Sequence, residues 1–269
     1  MAIITISRGS YSHGKEIAEK VAQQLGYSCI SRDLIHDASE EFHVPEIKLT
    51  KALEDVTSIT ERFSHVRENY LAFIEAALLE HAQKDNMVYH GLAGHFVLRQ
   101  VKHVLSVRIT ANMEDRARLV MEREKVSHQE AIRLLQKVDH ARKQWGQVLY
   151  NIDLWDSGNY DLVINVNKIT ADNAVDTICH AAGWEQFKTT SESQTVLDDL
   201  ALAAKMKAKL LPVLLEVAVT VRNGTAFVKG KSNLEVEART MEEIGEIAKT
   251  IPGVADLKID LDLSARSYL

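Results

Sequence analysis

The 269-residue sequence has only two cysteines, Cys29 and Cys179, and they stand far apart. A disulfide framework or a zinc site needs cysteines in pairs or at short spacing, so both are disfavoured. No apolar run approaches the roughly 18 residues of a membrane-spanning helix. The first residues also lack the charged-then-apolar layout of a secretory signal. We therefore expect a cytoplasmic protein without a membrane span.

The sequence also lacks an excess of positive charge. Its 32 lysines and arginines are outnumbered by 38 aspartates and glutamates, which gives a formal net charge of -6. A nucleic-acid-binding protein usually has a basic surface, so we expect no nucleic-acid partner. Hydrophobic residues make up 46% and charged residues 26%, as in globular proteins, and the length allows one large or two smaller domains.

The most informative stretch runs from Ala2 to Leu25. An apolar run at residues 3–6 predicts a buried strand, and a polar loop from Ser7 to Gly14 follows it. Apolar residues then recur at helical spacing. The first turn of a helix presents unpaired N–H groups and the positive end of the helix dipole, which together attract phosphate. Strand, loop and helix in this order therefore predict a phosphate-binding corner.

Residues Gly9 to Lys15 match the G-x-x-x-x-G-K part of a P-loop, but Glu16 stands where that pattern has Ser or Thr. Tyr11 and His13 occupy positions where glycine would let the backbone wrap around a phosphate. The alternative is an ordinary strand-to-helix corner that binds nothing. The candidate ATP- and phosphate-binding residues are Gly9, Ser10, Ser12, His13, Gly14, Lys15 and Glu16.

Apolar strands alternate with helices along the first two thirds of the chain. Further strands are predicted at 27–30, 86–90, 104–109 and 161–166, and helices at 34–85, around 96–98, at 114–149 and at 171–182. This alternation predicts an α/β fold with a five-stranded parallel sheet covered by helices. Ligands gather at the carboxyl ends of such strands, where the loops at 7–15, 31–33 and 90–94 should converge.

The pattern changes after residue 188. The polar run TTSESQT has the composition of a linker, and a helix is predicted from about Val196 to Leu211. Beyond it, alternating residues flank Asn223-Gly224, a strong hairpin signal. A helix from Leu234 to Ile251 and an alternating strand at 257–263 complete a small ββαβ module. The predicted division is a domain at 1–187, a linker and helix at 188–211 and the module at 212–264.

The charged stretch 114–149 is rich in cations. Asp139 and Arg142 are three residues apart and can share one helix face. Cations on a helical lid beside a phosphate loop would neutralise the charge of a migrating phosphoryl group. The alternative is a solvated helix face on which acidic residues pair with these cations. The candidate lid residues are Arg116, Arg123, Lys137 and Arg142.

Several stretches resemble the cytidylate kinase-like family of P-loop nucleoside monophosphate kinases. They are ITISR and GKEIAEKVAQQLGY near the start, SRDLI at the end of the second strand, KVDHAR in the lid and YDLVIN in the last strand. Together they span about residues 1–187. The resemblance implies a P-loop kinase core that transfers the γ-phosphate of ATP, with its Mg²⁺, to CMP, dCMP or a related monophosphate.

The resemblance also implies roles for individual residues. Lys15, Asp139 and Arg142 become the catalytic candidates, while Arg32, Asp33 and Gly91 become the acceptor-binding candidates; Asp33 could equally be a helix N-cap. The family's G-S-G-G run corresponds here to Tyr11-Ser12-His13-Gly14, and its Gly-Arg-Gly to residues 91–93. In that alignment Lys15 lies beyond the glycines, whereas the simple P-loop pattern makes it the phosphate-binding lysine. No protein side chain is assigned as a metal ligand, because Mg²⁺ would arrive with ATP.

The C-terminal module resembles a BON-type domain, through VTVRNGTAFVKG, IPGV and LKIDLDL. Such domains are associated with membranes, ligands or other proteins, which implies a regulatory or assembly role; the alternative is a cap or a dimerisation element.

Two functions of the whole protein stay open. The leading hypothesis is an ATP-dependent nucleoside monophosphate kinase, and the alternative is a nucleotide-binding regulator that has lost catalysis. The acceptor base and the oligomeric state, including a homo-oligomer, are left open.

Overall fold

The computed structural model describes residues 2–54, 61–91, 94–214, 216–233 and 237–264. Three of the expectations above fall partly outside these ranges. They concern the middle of the helical stretch 34–85, the departure at Leu92 and Ala93, and the beginning of the helix predicted from Leu234.

The described residues form two compact units. The main segments of the first unit are Met1–Asp33 and Lys84–Thr190. The second unit combines Leu34–Ala52 and a segment around residues 60–83 with Ser191–Leu269. Residues 34–52 and 61–83 thus pack with the C-terminal part of the chain, although they lie within the predicted domain at 1–187. No helix among the described residues is both long enough and apolar enough to cross a membrane.

The first unit is built on a parallel sheet of five strands. These are β1 (Ile3–Arg8), β2 (Ser28–Ile30), β3 (Met87–His90), β4 (Val104–Ala111) and β5 (Leu162–Val166). Their order is β2-β3-β1-β4-β5, which places β1 at the centre. Every pairing is parallel. The predicted five-stranded parallel sheet is confirmed, and the loop after β1 lies at its middle.

Helices flank this sheet. They are α1 (Gly14–Leu25), α5 (Gly94–Val97), α6 (Met113–Glu124), α7 (His128–Tyr150) and α8 (Ala171–Ala182). The apolar stripes of α1 and α8 bury Ile17, Val21 and Ile178 against the sheet residues Ile4 and Val107. Burial of these side chains is the main favourable term that fixes α1, and with it the loop before α1, at the end of β1.

The cation-rich stretch 114–149, predicted to be helical, consists of two helices. Helix α6 ends at Glu124, because the next residue, Lys125, has a left-handed φ of 57° that stops the helical hydrogen-bond ladder. Helix α7 begins after Ser127, which forms a capping box with Glu130. The stretch is helical as predicted, and a left-handed C-cap and a capping box divide it into two helices. The two helices pack against each other as a hairpin.

The stretch 34–85 likewise contains α2 (Asp33–Phe42), α3 (Glu46–Glu54) and α4 (Glu61–Ala82). A left-handed residue, His43, separates the first two helices. Helix α4 packs against α9 (Ser191–Leu210), which begins inside the polar run TTSESQT that was expected to be a linker. Lys205 of α9 forms ion pairs with Glu41 at 2.9 Å and Glu80 at 3.4 Å.

The C-terminal module contains β6 (Val217–Arg222), β7 (Thr225–Asn233), α10 (Glu237–Lys249) and β8 (Asp256–Ser264). Strands β6 and β7 form the predicted antiparallel hairpin, and β8 pairs parallel to β7. Asn223 and Gly224 both have positive φ, as the hairpin turn requires. Ala226, Val228 and Ile244 form its apolar core with Met206 and Leu210 of α9. The predicted small α+β module is confirmed as a three-stranded sheet with one helix.

Candidate functional site

The loop between β1 and α1 has left-handed backbone at two residues that are not glycine. Tyr11 and His13 have φ of 57° and 63°, in the left-handed region that glycine adopts most easily. These are two of the positions where the resembled family has glycine. The Ser12 hydroxyl donates to the carbonyl of Gly9 at 2.9 Å and lies 3.3 Å from that of Ile109. Packing and hydrogen bonds therefore hold a strained conformation in place.

Lys15 lies on the outer surface of α1. Its side chain is 65% exposed and its ammonium lies 3.6 Å from the carboxylate of Glu19. Glu16 is also engaged at the surface, with Lys20 at 2.9 Å and the ring of His13 at 3.1 Å. Hydrogen bonds from these two partners lower the pKa of Glu16, so it is ionised at neutral pH. Lys15 and Glu16, the charged residues at the end of the P-loop match, are therefore each paired with a residue one turn further along α1, Lys15 with Glu19 and Glu16 with Lys20.

Gly14 is held close to Arg8, the last residue of β1. A Cβ added to Gly14 would lie 2.5 Å from Cβ and 2.8 Å from Cδ of Arg8. Contacts this short do not occur, so the stem of Arg8 needs a glycine at position 14. The side chain of Arg8 therefore lies over the first turn of α1.

A pocket opens beside this loop, at the carboxyl ends of β1 and β4. It is bounded by residues from the central strands, the lid helix α7 and the loop that follows α7. These lining residues are Ser7, Arg8, Gly9, Gly91, His95, Arg108, Asp139, Arg142, Leu154 and Trp155. All of them belong to the first unit.

Arg142 reaches into the pocket from α7. Its guanidinium donates to the backbone carbonyl of Arg8 at 2.9 Å. Burial, and then the neighbouring charge of Arg8, lower the pKa of Arg142 to about 10, although Asp139 opposes the shift. Arg142 therefore remains a cation at neutral pH in a site that already holds positive charge. Burial and the charge of Arg32 likewise lower the pKa of Arg8.

Arg116 of α6 connects the lid to the loop. It forms two parallel hydrogen bonds with Asp139, at 2.8 and 2.7 Å, and a third from Nε to the carbonyl of Ser10 at 2.7 Å. Both side chains are largely buried, at 9% and 18% exposure. A bidentate arginine–carboxylate pair is strongly directional. It ties α6, α7 and the loop into one arrangement, so Asp139 positions Arg116 as well as lying near Arg142.

A buried polar cluster forms the floor of the pocket around Arg108. Arg108 is the parallel-sheet neighbour of Ser7, with its Nη1 3.4 Å from the Ser7 hydroxyl and 3.3 Å from that of Tyr160. Its guanidinium also lies over the ring of Trp155, 4.9 Å from the centroid. The Tyr160 hydroxyl contacts Nε2 of His95 at 3.2 Å. Burial, reinforced by Arg108, lowers the pKa of His95 to about 3, so its ring is neutral.

The structure thus separates the predicted lid cations. Arg116 and Arg142 reach the loop and the pocket, whereas Arg123 and Lys137 are exposed. Arg123 pairs with Glu124 at 3.7 Å and lies over the ring of Tyr11. For these two the solvated-face interpretation fits the observed geometry.

The acceptor candidates are also divided. Gly91 lines the pocket, and a Cβ there would collide with the hydroxyl of Tyr89. Arg32 and Asp33 are exposed at the end of β2, where Asp33 is the first residue of α2. Neither is among the lining residues of the pocket, as far as the described part of the chain defines that lining.

Sequence reasoning missed Arg8 and Arg108 as site residues. Arg8 lay within the ITISR match but received no role. Arg108 had a usable signal, because it is the one charged residue in the buried strand VLSVRITA. A charge that is almost fully buried needs compensating groups, so a lone arginine in a core strand marks a candidate site.

The first unit is therefore an α/β domain in which a strand-loop-helix corner and helix α7 border a pocket lined by arginines. Residues 3–168 match the family described as the cytidylate kinase-like family. This match covers more than half of the sequence, and the chain belongs to the cytidylate kinase-like family.

Curated relatives agree with this assignment. The chain is 24% identical over 190 residues to a cytidylate kinase of Pyrobaculum islandicum, covering 69% of this chain and 97% of the relative. It is 28% identical over 182 residues to a cytidylate kinase of Ignicoccus hospitalis, covering 66% and 97%. Among solved structures, an uncharacterized protein from Eubacterium ventriosum is similar in fold, with a TM-score of 0.52 at 22% identity over 67% of this chain and 97% of that one.

Proposed function

We propose that the protein is an ATP-dependent nucleoside monophosphate kinase that transfers the γ-phosphate of ATP to CMP, dCMP or a related monophosphate. The observation that carries the proposal is the set of pocket arginines, Arg8, Arg108 and Arg142, beside the β1–α1 loop. Phosphoryl transfer needs positive charge around the migrating group, because negative charge is spread over its oxygens in the transition state. Membership of the cytidylate kinase-like family and the curated relatives support the choice of acceptor.

In this mechanism Arg142 neutralises the transferring phosphoryl group. It comes from the lid and already touches the carbonyl of Arg8, so closing the lid would bring its charge onto the phosphate. Asp139 holds Arg116, which in turn holds the loop through Ser10. The proposed acceptor residues remain Arg32, Asp33 and Gly91.

Magnesium would enter as the complex with ATP, and it would neutralise the charge of the β- and γ-phosphate oxygens. Asp139 is the carboxylate in the pocket lining that could contact the ion or its water ligands. The described residues contain no cluster of three His, Cys, Asp or Glu side chains arranged to hold a metal.

The proposal is tested by incubating the protein with ATP-Mg²⁺ and CMP, dCMP, UMP, AMP or GMP and measuring the diphosphate formed. Arg142→Ala should lower kcat by about 10²- to 10³-fold, as does loss of a group that stabilises transition-state charge. Lys137→Ala is the matched control, since it removes an exposed cation from the same helix, and its rate should stay near that of the wild type. A wild-type protein without turnover on any monophosphate would refute the kinase proposal.

The second candidate is a nucleotide-binding regulator without catalysis. It is favoured by the engaged side chains of the loop, where Glu16 pairs with Lys20 and His13 while Lys15 is exposed. This hypothesis predicts that ATP raises the melting temperature by linkage although no monophosphate is phosphorylated. Turnover on CMP would reject it, and the absence of any thermal shift would leave a scaffold role.

The same proposal places the activity in the cytoplasm, consistent with the use of ATP and with two free cysteines. The BON-type identity of the C-terminal module stays a prediction, as does its role in binding a ligand or another protein. Formation of a homo-oligomer also remains a prediction.

A further inference from the structure

Arg8 and Lys15 are the two cations closest in sequence to the β1–α1 loop, and they differ in where their charges lie. Arg8 lines the pocket together with Arg108 and Arg142, whereas the lining contains no atom of Lys15. The side chain of Lys15 is 65% exposed, and its ammonium lies 3.6 Å from the carboxylate of Glu19. A cation that binds phosphate must be able to reach the pocket, and Arg8 is already there.

The position of Arg8 is built into the fold. Its stem lies against the backbone of Gly14, where even one methyl group would collide with it. The first turn of α1 is therefore shaped to accept an arginine side chain from β1. In a P-loop of the usual kind, the cation comes from the helix itself.

Carboxylates act on the pocket arginines only at longer range, as Glu19 does on Arg8 and Asp139 on Arg142. Within the described part of the chain, no carboxylate forms an ion pair with the guanidinium of Arg8, Arg108 or Arg142. Asp139, the carboxylate in the lining, is engaged by Arg116. Partly buried cations without counter-charges are stabilised when an anion binds. Guanidinium groups also match phosphate oxygens in a bidentate geometry.

We propose that Arg8, and not Lys15, is the loop cation that binds the phosphate groups of the donor nucleotide. This inference rests on the proposed function for the identity of the ligand as ATP. Lys15 then matches the lysine of the P-loop pattern in sequence but does not bind the phosphate groups.

The first experiment measures binding, which needs no turnover. Titrations with Mg-ATP and with pyrophosphate are followed by calorimetry and by the fluorescence of Trp155, which lines the pocket beside Arg108. Arg8→Gln should weaken both ligands about 10- to 100-fold, the size expected for losing hydrogen bonds between charged groups. Lys15→Gln is the matched control and should bind within about threefold of the wild type. The inference is overturned if Lys15→Gln loses binding while Arg8→Gln keeps it.

A second pair of variants guards against a folding defect in Arg8→Gln. Arg8→Lys keeps the aliphatic stem on Gly14 and a positive charge, but it loses the fork of donors, so it should fold and bind with intermediate affinity. Gly14→Ala leaves both cations in the sequence and displaces the stem of Arg8 from its Cβ outward, so it should weaken pyrophosphate as Arg8→Gln does. In an Arg8→Gly background residue 8 has no side-chain atom that could meet the added methyl, and Gly14→Ala should have no further effect on binding. Wild-type affinity in both Arg8→Lys and Gly14→Ala would contradict the proposal.

The two proposals can fail separately. If no monophosphate is phosphorylated but Mg-ATP binding depends on Arg8, the kinase function fails and the phosphate role of Arg8 stands. If CMP is phosphorylated and only Lys15→Gln raises the KM for ATP, the kinase function stands and the role of Arg8 fails.

Discussion

The two units of the protein treat polar side chains in opposite ways. In the first unit, the buried polar residues include Ser7, His95 and Arg108, which line the pocket, and Arg116, which contacts the neighbouring loop. In the second unit, the described residues that are both polar and buried are Ser193 and Thr240, and its core is apolar. Several of its ion pairs lie in solvent, as in Lys229–Asp260, whose side chains are 72% and 74% exposed, while Lys205 and Glu41 pair at 29% and 28% exposure.

This difference separates function from structure. Burying a charge costs free energy unless a partner compensates it, so folding alone gives no reason to collect arginines in one pocket. In the first unit the arginines are buried at the carboxyl end of the sheet, where a bound anionic ligand would compensate that free-energy cost. In the second unit, for which no anionic ligand is proposed, the core is apolar and charged side chains pair at or near the surface.

The largest effect should follow from damaging the core of the second unit. Ile244 of α10 is fully buried in the core that this helix forms with the small sheet, so Ile244→Ala removes its packing and leaves a cavity. We expect a loss of about 2–5 kcal/mol in the unfolding free energy of this unit. Far-UV circular dichroism during urea unfolding should show an early transition that the wild type lacks.

Tryptophan fluorescence provides the control for Ile244→Ala. Trp145, Trp155 and Trp184 are the only tryptophans of the sequence, and all three lie in the first unit. Their unfolding midpoint and the affinity for Mg-ATP should stay unchanged. An equal shift of the fluorescence transition would mean that the comparison between two separate units is wrong.

The next largest effect should follow from breaking the Arg116–Asp139 pair. Asp139→Asn removes the charge that compensates a largely buried guanidinium, at a cost of about 2–4 kcal/mol once the partial exposure of Asp139 is considered. The tryptophan unfolding midpoint should fall, and the rate should fall with it because the loop loses its tie through Ser10. Asp115→Asn is the control, since Asp115 pairs with the exposed Arg118 and should change little. Equal destabilisation by both variants would show that burial is not the deciding difference.

Local signals in the sequence were enough to predict the elements that build the sheet. The spacing of apolar residues predicted α8 at Ala171–Ala182, and the alternation of strands and helices predicted the parallel sheet. The family resemblance was confirmed over residues 3–168. These features depend on residues that are close in sequence, where periodicity and capping act directly.

The arrangement of side chains in the site could not be predicted in the same way. The position of Arg8 depends on contact with the helix backbone at Gly14, and the position of Arg108 depends on its neighbour Ser7 on another strand. The break between α6 and α7 depends on one left-handed residue, Lys125, which has no strong preference for that conformation. The sequence could therefore locate the pocket but could not distinguish the cations inside it from those on its surface.

A smaller effect should appear as a pH dependence. Burial lowers the pKa of His95 to about 3 in the folded protein, whereas an unfolded histidine titrates near 6.5. Between these values the unfolded state holds more protons, so this residue's contribution to stability falls as the pH drops below about 6.5. His95→Gln should flatten the loss of stability between pH 7 and pH 5 by about 1–2 kcal/mol, measured from urea midpoints.

His36→Gln is the matched control for this pH dependence. His36 is exposed, and its hydrogen bond with Glu46, followed by the charge of Glu40, raises its pKa in the folded state. Its contribution therefore has the opposite sign, being present at low pH and lost as the pH rises through the folded pKa. Removing it should not flatten the profile. If both variants flatten it alike, burial of His95 is not the cause.

The smallest effect should come from the surface of the C-terminal sheet. Lys229→Ala removes one partner of an exposed cross-strand ion pair at 3.3 Å, whose attraction is screened by water and salt. The urea midpoint of the second unit should stay within experimental error of the wild type. Raising the salt concentration should not produce a difference in midpoint between the two proteins. Ala226→Ser, on the same strand but fully buried, is the contrast, because its hydroxyl would enter an apolar core and lower the midpoint. A lower urea midpoint in Lys229→Ala would show that the stability of this sheet also depends on specific surface charges. The two units would then differ only in the buried charges of the pocket.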